Sequence, residues 1–234
     1  NDAIHHVTYS GDWNISPIIF LSRYQKSYWG PVGGVQKITF GEFIELDFVG
    51  MVIEILRTII VSPFRRIQRL KLKKYNIEIL ATNDSVVNYF SKTSKSQYCP
   101  NLIIDLNKKH TPAKNRYIFT SGRLIPLKNF KLVIRSMKYL EDDIELLIAG
   151  EGFLKKQLEK LVAKLDLQSR VKFLGELSRE KSLEFLLKSQ VFVFTSIRDS
   201  HSWSLAEAVH CGIPVATLGT PGNLAVLKHG NPSY

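Results

Sequence analysis

Apolar and polar positions alternate between two patterns over the second half of the chain. Short runs rich in β-branched and aromatic residues at 117–121, 144–149, 171–174, 191–195 and 214–218 predict strands. Between them, segments 130–140, 154–165, 178–188 and 203–210 carry apolar residues at helical spacing. Such alternation builds βαβ units. The runs Leu146-Leu147-Ile148-Ala149 and Val191-Phe192-Val193-Phe194 are apolar at every position, as strands covered on both faces are. The pattern predicts an α/β domain with a parallel, doubly wound sheet. Gly212 follows the last helical segment and Pro214 lies just beyond, which predicts a helix stop and then a new strand.

Upstream the pattern weakens. Asn107-Lys108-Lys109-His110-Thr111-Pro112-Ala113-Lys114-Asn115 is polar and aperiodic and reads as a connection between domains. Before it, 5–9 and 77–81 predict strands, 18–21 is a short apolar run, and 43–74 predicts one or two helices. The expected division is 1–110 as part of one domain, 111–116 as linker and 117–234 as a second domain.

Composition narrows the class. Of 234 residues, 44% are hydrophobic and 23% charged, which fits an ordinary soluble globular protein and excludes a disordered or fibrous one. A formal charge of +11 predicts an acidic partner, whether nucleic acid, anionic lipid or a phosphorylated small molecule. Six of those charges crowd into Arg65-Arg66-Ile67-Gln68-Arg69-Leu70-Lys71-Leu72-Lys73-Lys74. That run reads either as a solvated helix face or as a peripheral membrane contact, with Phe64, Ile67 and Leu70 on one side and cations toward phosphates. The apolar stretch 43–61 contains Glu45, Asp47, Glu54 and Arg57, too many charges for a bilayer centre. Cys99 and Cys211 stand far apart with neither metal-ligand spacing nor a disulfide framework, so a reducing, cytoplasmic setting is expected. The chain opens with neither Met nor a signal peptide, so Asn1 reads as an interior point of a longer protein.

Chemistry follows from the predicted topology. In an open parallel sheet, ligands bind beyond the carboxyl ends of the strands. Ser121-Gly122-Arg123-Leu124-Ile125-Pro126-Leu127-Lys128, Gly150-Glu151-Gly152, 196–204 and Gly219-Thr220-Pro221-Gly222-Asn223 all fall on that edge. Small residues, hydroxyls and cations together suit a diphosphate, which needs close backbone approach, free N–H groups and fixed positive charge. Taken singly, Gly-Glu-Gly is a common turn, and Arg123 and Lys128 could be plain surface cations. The acidic Glu141-Asp142-Asp143 precedes a strand, lies on the opposite edge and reads as a solvated turn. No Ser-His-Asp set, paired zinc ligands or Walker lysine loop is found, so no metal and no cofactor are expected. Basic and aromatic residues do not interleave as they do in single-strand binders, so nucleic acid is not expected as a partner.

The ordered motifs resemble the retaining glycosyltransferases of the family 4 type, with the two-domain GT-B fold. Gly122-Arg123 through Lys128-Asn129, Gly150-Glu151-Gly152, Arg170-Val171-Lys172-Phe173-Leu174-Gly175, and Asp199 to Glu207 followed by Ala208-Val209-His210-Cys211-Gly212-Ile213-Pro214-Val215 carry the likeness. His5-His6-Val7-Thr8 and Trp29-Gly30-Pro31-Val32-Gly33-Gly34 are similar to a bacterial surface-polysaccharide subgroup, in the second half of its acceptor domain.

The resemblance implies two Rossmann-like parallel-sheet domains, the first only partly present and the second incomplete at its end. It implies transfer of a hexose-like sugar from a nucleoside diphosphate donor to a glycan or polyprenol-linked acceptor, with retention, at the inner face of the plasma membrane. Arg123 and Lys128 would neutralise the leaving diphosphate, Glu207 would accept from the ribose hydroxyls, and Asp199 would stand near the sugar. Asp199 takes the place of a Glu and is one methylene shorter. Gly122, Gly150, Gly152, Val171, Phe173, Leu174, Ser200, His201, Ser202 and Trp203 would line the donor, with the stretch from Val171 to Leu174 flanking the base through backbone groups. His6, Gly33 and Gly34 would reach it from the acceptor domain, although a strand histidine bonded within the fold and a tight turn explain them too. The alternative reading is a catalytically inactive nucleotide-sugar-binding module.

Overall fold

The computed structural model describes residues 3–7, 11–14, 16–21, 26–44, 46, 48–99, 104, 106–113, 116–200 and 202–229. They fall into two compact units. One comprises Asn1–Lys37, Met51–Ile103 and Asp199–His201, and the other Ile38–Gly50, Ile104–Arg198 and Ser202–Tyr234.

In chain order the elements up to residue 98 are β1 (Ala3–His6), α1 (Ile18–Leu21), β2 (Lys26–Val32), α2 (Phe40–Ile44), α3 (Phe48–Leu72), β3 (Ile77–Ala81), α4 (Asp84–Phe90) and β4 (Ser96–Tyr98). The four strands run parallel in the order β1-β2-β3-β4. Trp29, Leu72, Ile77, Ile79, Val86 and Phe90 form the core, with Trp29 and Phe90 edge to face at 5.7 Å. Strand β2 is absent from the sequence reading because Gly30-Pro31 looks like a turn. Pro31 has no N–H to give a central strand, and the β2–β3 register shifts between Trp29 and Val32, where that donor is missing. Helix α4 begins at Asn83, whose Oδ1 accepts from the Val86 N–H at 3.2 Å.

The rest of the chain forms β5 (Tyr117–Ser121), a 3₁₀ turn (Pro126–Lys128), α5 (Phe130–Ser136), a second 3₁₀ turn (Met137–Tyr139) and β6 (Glu145–Ala149). It continues through α6 (Lys155–Lys164), β7 (Val171–Gly175), α7 (Arg179–Lys188), β8 (Val191–Phe194), α8 (Trp203–His210), β9 (Val215–Thr217) and α9 (Pro221–His229). All five strands are parallel, in the order β7-β6-β5-β8-β9. The order reverses at β5, so the first and fourth strands of this unit sit side by side. Ile118, Leu146 and Ile148 pack against Val133, Ile134, Leu158 and Val162 on one face of the sheet. Helix α9 opens on Pro221, and proline is well suited to a first helical position.

The backbone of residues 110, 111 and 113 bonds to the carbonyls of Cys211, Leu187 and Lys188 at 2.9–3.0 Å, so this polar stretch runs along the second unit. At the amino edge of the second sheet, Arg116 pairs with Glu141 and Asp143, and Arg170 pairs with Asp142 at 2.9 Å and bonds the Ile144 carbonyl at 3.2 Å. The acidic cluster thus fastens the starts of neighbouring strands. In the basic run, Arg65 and Arg69 turn partly inward, while Phe64, Ile67 and Leu70 are exposed.

Leu146 is fully buried at the middle of the second core. Leu146→Ala should lower stability by roughly 2–5 kcal/mol, measured by urea unfolding against the parent chain.

Candidate functional site

The carboxyl ends of β5 and β8 meet at the point where strand order reverses, which is where open α/β sheets hold ligands. The loops that leave this edge are joined to one another by backbone. The Gly122 N–H donates to the Ala149 carbonyl at 3.0 Å, Leu124 N–H to Glu151 at 2.9 Å and Leu154 N–H to Leu124 at 3.1 Å. Gly150 has φ +128°, and a Cβ there would stand 2.0 Å from the Gly122 carbonyl oxygen; one on Gly152 would stand 2.4 Å from that of Leu124. The room left by these two missing side chains is therefore filled by a neighbouring loop. Their physical role is to bring the β5 and β6 loops into contact.

The β8 loop is fixed in the same way. Thr195 Oγ1 lies 2.9 Å from the Lys128 carbonyl and 3.1 Å from that of Asn129, and the Ile197 N–H donates to the Leu127 carbonyl at 2.8 Å. Fully buried Asn223, in α9, donates through Nδ2 to the Ser196 carbonyl at 3.2 Å and the Leu218 carbonyl at 3.1 Å, and stands 3.0 Å from Thr217 Oγ1. One amide thus ties the β8 loop to the β9 loop. Arg123 and Lys128 both ride on the β5 loop. Arg123 is exposed, and Lys128 Nζ is held 5.1 Å above the Phe194 ring at the end of β8.

Glu207 lies in α8, only 8% exposed, and its Oε1 accepts from Arg179 Nε at 3.1 Å and Nη2 at 2.9 Å. Arg179 opens α7, just after the Ser178 cap, and its guanidinium lies 5.8 Å over the Trp203 ring. Ser202 caps α8, accepting from the Leu205 N–H at 3.5 Å. The carboxylate expected to meet ribose hydroxyls is here presented beside an arginine and a half-exposed indole. Burial, and secondarily the charge of Glu207, push the nearby Cys211 thiol up from its ordinary pKa.

On β7, Phe173 pairs with Ile148 and Gly175 with Ala149, so Leu174 is the extra residue of a bulge at the carboxyl end. Val171 is different. It opens β7 at the opposite edge and is buried in the core, so its expected place beside the base is corrected to a packing role. The unit thus brings Gly122, Arg123, Lys128, Gly150, Gly152, Phe173, Leu174, Ser202, Trp203 and Glu207 to one edge. Asp199 and Ser200 group with the first unit instead, and His201 lies outside the described residues.

In the first unit, His6 Nδ1 bonds Ser16 Oγ at 2.7 Å, and that oxygen also accepts from the Ile18 N–H at 3.3 Å where α1 begins. A strand histidine bonded within the fold accounts for this geometry. Gly34 has φ +109°, and a Cβ there would stand 2.4 Å from Asp12 Oδ1. Buried Asp12 accepts from the Val35 N–H at 2.8 Å and pairs with Arg65 of α3, so it holds the turn that carries Gly33 and Gly34. Sequence reasoning missed Asp12, Arg179 and Thr195 as site-forming residues, and it placed Asn223 on the ligand edge without its fastening role. Only Arg179 carried a local signal, its place after a capping serine; the others bond to residues remote in sequence or through the backbone.

Two Rossmann-like parallel-sheet units define a GT-B-like fold, and solved structures share it. Anabaena HepE in complex with UDP-glucose superposes with a TM-score of 0.60 at 17% identity, covering 88% of this chain and 56% of that one. WaaG, a glycosyltransferase involved in lipopolysaccharide biosynthesis, gives 0.57 at 16% identity, covering 87% of this chain and 62% of that one. Residues 104–234 match the family described as Glycosyl transferases group 1, and the chain belongs to that family. It is also similar to the N-acetylgalactosamine-N,N'-diacetylbacillosaminyl-diphospho-undecaprenol 4-alpha-N-acetylgalactosaminyltransferase of Campylobacter jejuni, 34% identical over 102 residues. That match covers 44% of this chain and 27% of the Campylobacter protein, so the chain spans only a part of its relative's length.

Asn223→Ala should lower stability by roughly 1–3 kcal/mol, read from chemical unfolding, because it leaves buried carbonyls of the β8 and β9 loops without their donor. Burial, and then neighbouring His5, hold the His6 imidazole below its ordinary value of 6.5. The folded state favours the neutral ring, so the stability it contributes is complete above pH 6.5 and is lost as pH falls through the folded value. His6→Gln should flatten part of that decline in unfolding midpoints taken across a pH series.

Proposed function

We propose that the chain is part of a glycosyltransferase that moves a sugar from a nucleoside diphosphate donor to a glycan or lipid-linked acceptor during surface polysaccharide synthesis. The observation that carries this reading is the β5 loop. Arg123 and Lys128 stand on a turn bonded to the β6 and β8 loops, at the reversal of strand order. Breaking the bond between the anomeric carbon and phosphate builds negative charge on the nucleotide and positive charge on the sugar. Cations fixed in place before the reaction stabilise that charge with little reorganisation. Glu207, beside Arg179, is suited to accept from the ribose hydroxyls, and Trp203 offers an aromatic face nearby.

Support for the donor class comes from HepE, solved with UDP-glucose, and for a polyprenyl-linked acceptor from the name of the Campylobacter relative. Retention of configuration rests on the family 4 resemblance, and Asp199 is assigned to the sugar on the same ground. A polyprenol-linked acceptor would bring the protein to the inner face of the plasma membrane, with Arg65 to Lys74 as the contact.

Calorimetry with UDP and with GDP, run beside a donor-hydrolysis assay, tests the reading. UDP or GDP should bind, and Arg123→Ala or Lys128→Ala should each weaken binding by about 10- to 100-fold, the effect of losing a charge-assisted hydrogen bond of roughly 1.5–3 kcal/mol. Binding with no turnover in the full-length protein would favour the inactive module, and unchanged affinity in both variants would remove the phosphate role.

A further inference from the structure

Trp203 and Glu207 stand one turn apart on α8, so their side chains share a face of that helix. Arg179, the first residue of α7, spans both. Its guanidinium lies 5.8 Å over the Trp203 ring, and its Nε and Nη2 converge on Glu207 Oε1 at 3.1 and 2.9 Å. Helix α7 follows the carboxyl end of β7 and α8 that of β8, so all three residues belong to the ligand side of the second unit.

The two oxygens of Glu207 are treated differently. Oε1 receives both guanidinium bonds, whereas Oε2 accepts from no group among the described residues. Glu207 is nearly buried, and Leu205, Ala206 and Ala208 beside it in the helix are buried too. A carboxylate withdrawn this far from water needs donors for its remaining lone pairs. A vicinal diol supplies two such O–H donors. The Arg179 side chain, by contrast, is 62% exposed, and an ion pair with one partner that open contributes little to stability. Its effect is geometric: a planar fork, held on a ring face by cation–π attraction, stops the carboxylate from rotating.

We propose that Arg179 is a positioning residue: by occupying Oε1 it leaves Oε2 turned toward the donor's ribose, and so sets the preference of the site for a nucleotide whose ribose diol is intact. The proposal rests on the assignment of Glu207 to that ribose. Without the arginine the carboxylate rotates freely, and ordering it on the diol costs part of the binding free energy. Trp203 acts one step further out by keeping the guanidinium in its plane. Arg179 works through Glu207, while the phosphate charges fall to Arg123 and Lys128.

The test is calorimetry on the chain with UDP and with its dideoxy analogue, which lacks both ribose hydroxyls; the guanosine pair is run beside them. The parent chain should prefer the nucleotide with both hydroxyls by about tenfold or more, the scale of hydrogen bonds to a charged group. Arg179→Ala should reduce that preference by about threefold or more, leave the affinity for the dideoxy analogue within about twofold, and hold the thermal midpoint close to that of the parent. In Glu207→Ala the preference should vanish, and adding Arg179→Ala should change nothing further. A preference untouched by Arg179→Ala, or an equal loss for both ligands, would overturn the proposal. So would a further loss in the double variant, which would make Arg179 a direct contact, or a collapse of the thermal midpoint, which would make it structural. Failure of both nucleotide pairs to bind would remove the donor reading itself, and this proposal with it.

Discussion

The second unit depends on backbone meeting backbone at the carboxyl edge of its sheet. A parallel sheet leaves its loops unsupported there, because each strand hands its chain to a helix several residues away. Here the β5 and β6 loops close on each other through Gly150 and Gly152, whose missing side chains let the carbonyls of Gly122 and Leu124 approach to distances no Cβ would tolerate. Thr195 and Asn223 then carry the same fastening to the β8 and β9 loops. A loop tied in this way holds a cation in place without a ligand, and preorganisation is what gives a charge its leverage on a leaving group.

Polar residues perform a similar office in the first unit. Asp12 is buried, bonded to the Val35 N–H and paired with Arg65, so an α3 side chain sets the conformation of the turn after β2. On the inner face of α3 this polar contact lies beside buried Val61 and Leu72, while Ile55, Leu56 and Ile59 are exposed.

Glu207 shows how the neighbourhood redefines a motif residue. As a sequence letter it is a helix carboxylate at a fixed spacing from Asp199. In the fold it is nearly buried and engaged by Arg179, while Asp199 groups with the other unit. The two acids of one motif therefore belong to different bodies. No spacing rule could reveal this, because the chain passes from one unit to the other and back within three residues.

Periodicity foresaw the second sheet well. β5, β7 and α8 begin where the apolar pattern places them, because strands covered on both faces and helices with one buried stripe leave strong, short-range signatures. The same reading put Arg123 and Lys128 on one edge, since parallel topology dictates which loops share it, whereas Glu207 was assigned through the family resemblance. Elements with weak or contradictory local signals escaped it: β2 hid behind Gly30-Pro31, β4 is polar and three residues long, and α9 opens on Pro-Gly. Strand order, the bulge that singles out Leu174, the removal of Val171 to the core, and the fastening by Thr195 and Asn223 all rest on contacts between residues far apart in the chain. Local pattern records which way a side chain must face. Which atom it meets is settled only when the strands have assembled, because hydrogen-bond partners are chosen by distance in space.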